Sequence, residues 1–145
     1  MISIMEQTET NDEIISAIEK LLPQLSPTAT LPSREQISEI IESENIKLYC
    51  ATDGDDHVVG MLVLVIFRIP TGLRFRIEDV VVDEAARGLG VGKELLLHAL
   101  ADARELGADK VDLSCRPARE AANRLYQKLG FEKRNTNVYR FHIKS

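Results

Sequence analysis

The chain has 145 residues, 44% hydrophobic and 28% charged, with a formal net charge of −5 at neutral pH. That length suits a single domain, Met1–Ser145, with a substantial core. The acidic balance, with no basic stripe, argues against nucleic acid as a partner.

Met1–Thr10 carries no basic segment followed by an apolar one, so no secretory signal is expected. The longest apolar run, Val58–Phe67, is too short to span a bilayer. A cytoplasmic protein with no membrane partner is the expectation. The two cysteines, Cys50 and Cys115, have no paired spacing and read as buried free thiols, and the three histidines are scattered. Nothing in this pattern suggests a metal.

A first strand is expected over Ser3–Gln7. Thr10 with Glu13 forms a capping-box pattern ahead of Ile14, Ile15, Ile18, Leu21 and Leu22, which recur at helical spacing until Pro23 ends the helix. Ser33 with Gln36 repeats the pattern before Ile37, Ile40 and Ile41. Three strands follow, Lys47–Thr52, Val58–Phe67 and Leu73–Val82, separated by the turns Asp53–Asp56 and Pro70–Gly72. A long helix is predicted over Gly92–Leu106, stopped by Gly107, then a short strand Lys110–Ser114 and a helix Glu120–Leu129 closed by Gly130. Phe131–Arg134 and Val138–Ile143 alternate like a closing hairpin. The resulting fold class is α/β (α+β): a mixed, mostly antiparallel sheet with helices packed on both faces.

Between the third strand and the long helix lies Arg87-Gly88-Leu89-Gly90-Val91-Gly92. Closely spaced glycines let the backbone approach a ligand, and the helix start beyond them offers free amides and the positive end of its dipole. A pyrophosphate suits such a place, with Arg87 and Lys93 adding charge. A Walker loop is excluded, because Gly88 is too close to Gly92 and Glu94 follows Lys93. The dinucleotide fingerprint fails at Lys93, where it needs glycine. The loop fits Arg-x-x-Gly-x-Gly through Arg87, Gly90 and Gly92. Taken alone, a purely structural turn fits it equally well.

The run Ile77-Glu78-Asp79-Val80-Val81-Val82-Asp83, this loop, and Leu125-Tyr126-Gln127-Lys128-Leu129-Gly130-Phe131 together resemble the GNAT superfamily of N-acetyltransferases. The resemblance implies acetyl-CoA as cosubstrate, without a metal. Its pyrophosphate would rest on the amides of Arg87, Gly88, Leu89, Gly90, Val91, Gly92 and Lys93. Its pantetheine would pair, like an added strand, with the backbone of Val80, Val81 and Val82. It further implies transfer of an acetyl group to a primary amine by direct attack, the acceptor being a small molecule or a protein amine. The Ile-Glu-Asp run is particularly like the glucosamine-phosphate N-acetyltransferases and points toward an amino-sugar phosphate. A non-catalytic acyl-CoA-binding or sensing domain on the same fold is the alternative, and a homodimer is one assembly left open.

Direct transfer needs a base for the ammonium, donors for the thioester oxygen and an acid for the leaving thiolate. Glu78 and Asp79 interrupt an apolar strand, where an unpaired carboxylate is costly. Adjacent strand residues face opposite sides unless a bulge intervenes. Glu78 is the preferred base, directly or through water. An ion pair with Arg68, Arg74 or Arg76 is the structural alternative. Tyr126 matches the family's acid. Where many members carry a pantetheine-binding asparagine, this chain has Arg119, and Asn123 is a candidate substitute. Arg116 and Arg119 could meet an anionic group or simply solvent.

Overall fold

A computed structural model describes residues Met1–Lys144, which fall into two compact units, Met1–Ser114 and a second from Cys115 onward.

The first unit is built on a five-stranded sheet ordered β1 (Ser3–Glu6), β2 (Ile46–Thr52), β3 (Val58–Ile69), β4 (Gly72–Val82) and β5 (Asp112–Leu113). The first three pairings are antiparallel and β4–β5 is parallel, which bears out the mostly antiparallel expectation. Strand β2 is buried on both sides, from Leu48 to Ala51. Leu48 and Cys50 pack with Ile14, Ile18 and Leu21 of α1 (Asp12–Leu25) and Ile37 and Ile41 of α2 (Arg34–Glu42). The alternate residue, Tyr49, turns to the other face, where its hydroxyl donates to Asp102 of α3 (Val91–Glu105) at 2.7 Å. The period-2 pleat thus lets one strand serve two helical layers.

The helix ends follow their side chains. Ser33 and Gln36 form the expected capping box of α2. For α1 the expected cap is corrected. Asn11, not Thr10, accepts from the Ile14 amide at 2.9 Å, while Thr10 accepts instead from the Ser38 hydroxyl. Nor does Pro23 end this helix. It lies in the last turns, where its fixed φ is already helical, and the chain continues to Leu25. Cys50 and Cys115 are both free, but only Cys50 is buried, its thiol pushed up to about 12 by burial.

The second unit holds α4 (Glu120–Lys128), closed by Gly130 at φ +104. The predicted hairpin over Phe131–Arg134 and Val138–Ile143 is absent among the described residues. Val138, Tyr139, Phe141 and Ile143 stay exposed. Their alternation reports local strand preference, but a strand exists only where a neighbour completes its ladder.

Gly60 of β3 fixes how closely α3 approaches the sheet. A methyl there would stand 2.9 Å from Val91 Cγ1, 3.1 Å from Leu95 Cδ1 and 3.2 Å from the Val81 carbonyl oxygen. Gly60→Ala is therefore expected to cost about 1–3 kcal/mol of stability by overpacking, read as a lower urea midpoint. An unchanged midpoint would show that the start of α3 yields freely.

Candidate active site

Strand β4 changes phase in its middle. Phe75 and Ile77 pair with Ile66 and Leu64, placing them on the α3 face. Val81, another odd-numbered residue, pairs with Met61 and packs in the α1–α2 cluster on the opposite face. The reversal comes from an extra residue. Met61 faces Val81 and Val63 faces Glu78, so Leu62 alone stands opposite both Asp79 and Val80. This is a β-bulge. Asp79 carries it at φ +49, a left-handed conformation that aspartate tolerates better than most residues.

The bulge sorts the two carboxylates. Glu78 shares its face with Val63 and the α1–α2 cluster, and accepts from Arg76 Nε at 3.2 Å. One of the three ion pairs considered from sequence is therefore formed. Asp79 has no such partner among the described residues, and burial, with Glu78 beside it, raises its carboxyl pKa. The other edge of β4 is open here. Pairing to β5 covers Arg76 and Ile77 and stops, leaving the backbone of Glu78–Val82 without a strand on that side among the described residues.

Beyond Val82 the chain makes a single 3-10 turn, Glu84–Ala86, and enters the glycine loop. Gly88 and Gly90 lie at φ +85 and +79, where a side chain would be strained. Helix α3 starts one residue earlier than expected, at Val91, with Gly90 as its N-cap. α1 and α2 spend a side-chain oxygen on their first free amides, whereas α3 has no side-chain cap. Its leading amides and dipole are thus left for an anion. Arg87 and Lys93 are exposed beside them. These features fit a pyrophosphate.

Sequence reasoning missed Asp83, the only charged residue among the buried ones described, with 6% of its surface exposed. It caps the turn before the loop, accepting from the Ala85 amide at 3.2 Å, and pairs with Lys20 of α1 at 2.7 Å. Lys20 holds its carboxyl below the ordinary range. The available signal was Asp-Glu-Ala-Ala immediately after a strand, a cap pattern for a short turn.

In the second unit Tyr126 is buried, its ring edge-on to Phe131 at 5.8 Å. Burial raises its pKa, with Cys115 adding to the effect and Arg119 opposing it. Asn123 donates to the carbonyls of Arg116 at 2.9 Å and Arg119 at 2.8 Å. Both its N–H bonds serve the turn into α4, leaving only its carbonyl oxygen for a ligand.

Asp53, Asp55 and His57 cluster in the β2–β3 turn. One Asp53 oxygen accepts from the amides of Asp55 and His57, which accounts for the arrangement as turn structure. No helix among the described residues is long and apolar enough to cross a membrane.

Residues 12–131 match the acetyltransferase (GNAT) family. The chain is 32% identical over 123 residues to the uncharacterized N-acetyltransferase YvbK of Bacillus subtilis (strain 168), covering 85% of this chain and 70% of that protein. It is 39% identical over 62 residues to glucosamine 6-phosphate N-acetyltransferase 1 of Oryza sativa subsp. japonica, covering 43% of this chain but only 36% of that enzyme. Among solved structures, a transcriptional regulator from Bacillus halodurans C-125 superposes with a TM-score of 0.81 at 26% identity. That match covers 99% of this chain and 100% of the other.

The raised carboxyl of Asp79 has a defined consequence for stability. Its native pKa lies above its ordinary value of 3.8, so the folded state holds the proton more tightly than the unfolded chain. Stability therefore falls as pH rises through the raised value, and the full penalty is present at neutral pH. Asp79→Asn, which also suits a left-handed backbone, should raise the urea midpoint at pH 7 and lose that gain at a pH below 3.8. Equal midpoints at pH 7 would show that the carboxylate is fully solvated.

Proposed function

We propose that this chain, which belongs to the acetyltransferase (GNAT) family, binds acetyl-CoA along the open edge of β4 and the glycine loop and presents the thioester to a primary amine. The family uses acetyl-CoA as cosubstrate, and the chain is an acetyl-CoA-dependent N-acetyltransferase. The observation that carries the placement is the run of two left-handed glycines, Gly88 and Gly90, into a helix start with no side-chain cap; α4 also lacks such a cap, but no glycine loop leads into it. The pyrophosphate takes the amides of Arg87–Lys93. The pantetheine takes the strand position beside Val80, Val81 and Val82, where the bulge leaves backbone groups without a ladder.

The amine attacks only when neutral. Glu78 accepts its proton, directly or through a water, with Arg76 orienting the carboxylate. Asp79 is the second candidate, favoured by its raised carboxyl pKa, which brings its basicity nearer to that of a working base. As the amine nitrogen bonds to the acetyl carbon, charge moves to the thioester oxygen. Backbone amides near the bulge are the donors available for it. When the carbon–sulfur bond breaks, Tyr126 gives its proton to the departing thiolate. Like any tyrosine hydroxyl it is protonated at neutral pH, and burial raises its pKa further. Asn123 would contribute its carbonyl oxygen to the pantetheine.

The acceptor proposed is a small amine, with an amino-sugar phosphate first in order. The Ile77-Glu78-Asp79 run supports this, as does the partial match to the rice glucosamine 6-phosphate enzyme.

Gly90→Val tests the placement, because a branched side chain at φ +79 is both strained and in the ligand's path. The variant should lose acetyl-CoA binding by isothermal titration. Wild-type affinity in a folded variant would move the site elsewhere.

The catalytic roles are tested by paired substitutions under an acceptor screen with thiol detection. Tyr126→Phe keeps the ring and should lower kcat by about 10²–10⁴-fold with little change in acetyl-CoA affinity. Glu78→Gln should lose most at low pH and recover part of its rate as rising pH deprotonates the amine. Full kcat in Tyr126→Phe, or activity of Glu78→Gln equal to wild type across the whole pH range, would remove that residue from the mechanism.

A further inference from the structure

The glycine loop is tethered at its upstream end by a side-chain network reaching across to another helix. Asp83 Oδ2 lies 2.7 Å from Lys20 Nζ, and its Oδ1 accepts from the Ala85 amide at 3.2 Å and from Gln24 Nε2 at 3.5 Å. Gln24 closes the network, its Oε1 accepting from the Glu84 amide at 2.9 Å. The Asp83 amide itself donates to the Val59 carbonyl, the last backbone link to β3 before the loop. Two amides that begin the short turn are thus held by side chains, one from β4's own end and one from α1. The same Lys20–Asp83 pair lines a cleft of about 300 Å³ that Leu89 of the loop also borders. Capping the turn needs only one of the carboxylate's oxygens, whereas the buried Asp83 spends the other on a cation from a different helix, at a desolvation cost that a neutral cap would avoid.

We propose that Asp83 is a positioning residue for the loop Arg87–Gly92, and that Lys20 and Gln24 hold it, so that α1 sets the affinity of the loop for the pyrophosphate of acetyl-CoA. This rests on the reading of that loop as the pyrophosphate site. The tether fixes where the chain leaves the sheet, and Gly88 and Gly90 then have only a short path in which to aim their amides. Releasing the tether leaves α3 intact but lets the loop sample geometries in which those amides no longer converge. Each binding event must then reorder the loop, and affinity falls by the population lost.

The test is isothermal titration of the full chain with CoA, alongside hydrogen exchange of the amides of residues 84–93 and of α3 from Leu95 to Ala103. Asp83→Asn keeps a cap acceptor and removes the charge. Lys20→Met removes the charge partner and leaves the cap. Each should weaken CoA by about tenfold and speed exchange across 84–93, with Leu95–Ala103 unchanged. The double variant should be no weaker than the worse single one. A merely structural role would lower the melting temperature and protection in α3 while leaving CoA affinity alone, and that result overturns the proposal. If Asp83→Asn does not fold, Lys20→Met decides, because Lys20 is half exposed. Should wild type itself fail to bind CoA, the pyrophosphate reading falls and takes this inference with it. If wild type binds, Gly90→Val does not, and both tether variants match wild type, only the tether is refuted.

Discussion

A strand can present a residue to one face or to the other, and a regular pleat never lets it change its mind. In β4 the extra residue at Asp79–Val80 does what regular geometry forbids. Below it, odd-numbered residues face α3. Above it they face α1 and α2. Everything distinctive about this sheet depends on that switch. It gives Glu78 and Val81 the same face although they are three apart in sequence. It interrupts the ladder where β5 has already ended. It also places an aspartate in a backbone conformation that most side chains avoid. Strain of this kind persists only where surrounding structure enforces it, and here the ladder to β3 on both sides of the bulge does so.

The loop beyond the strand exploits a different economy. Helix starts carry free amides that must be satisfied by something. The chain answers that need with its own oxygen atoms at Asn11 and Ser33 and gives no side-chain answer at Gly90 or Arg119, of which only Gly90 follows a glycine loop. Glycine at the cap supplies a left-handed turn and no acceptor. A position that is poor for isolated helix stability is thereby good for receiving an anion. The open strand edge and the uncapped helix are the same device in two forms, backbone polarity left unpaired for a ligand to complete.

Much of this was legible beforehand because it is written in local chemistry. The Ser33–Gln36 box, the apolar run of β3, and the Arg87, Gly90, Gly92 spacing each point to their own structure, and the helices and strands lie within a few residues of expectation. The bulge was not legible. Ile77 to Val82 reads as one continuous strand interrupted by acids, and only the register against Met61 and Val63 shows the extra residue. Asp83 was passed over because its partners, Lys20 and Gln24, come from far earlier in the chain. The tail erred in the opposite direction. Val138, Tyr139, Phe141 and Ile143 have strand-like alternation, but alternation describes a preference and not a partner. At Asn11 the competition was between neighbours, and the residue whose side chain reaches the Ile14 amide won over the one three before Glu13.

The two thiols differ in a way that bears on how the enzyme can be assayed. Cys50 is sealed in the core and its thiol is pushed up to about 12, so at neutral pH it offers almost no thiolate to a reagent. Cys115 is only partly covered and lies close enough to Tyr126 to perturb its hydroxyl. Disulfide-exchange dyes that report released CoA would therefore also cap this thiol, one equivalent per chain, next to the group proposed as the acid. Progress curves recorded continuously with such dyes would mix turnover with inactivation. Quenched time points, or a Cys115→Ser background, would separate the two.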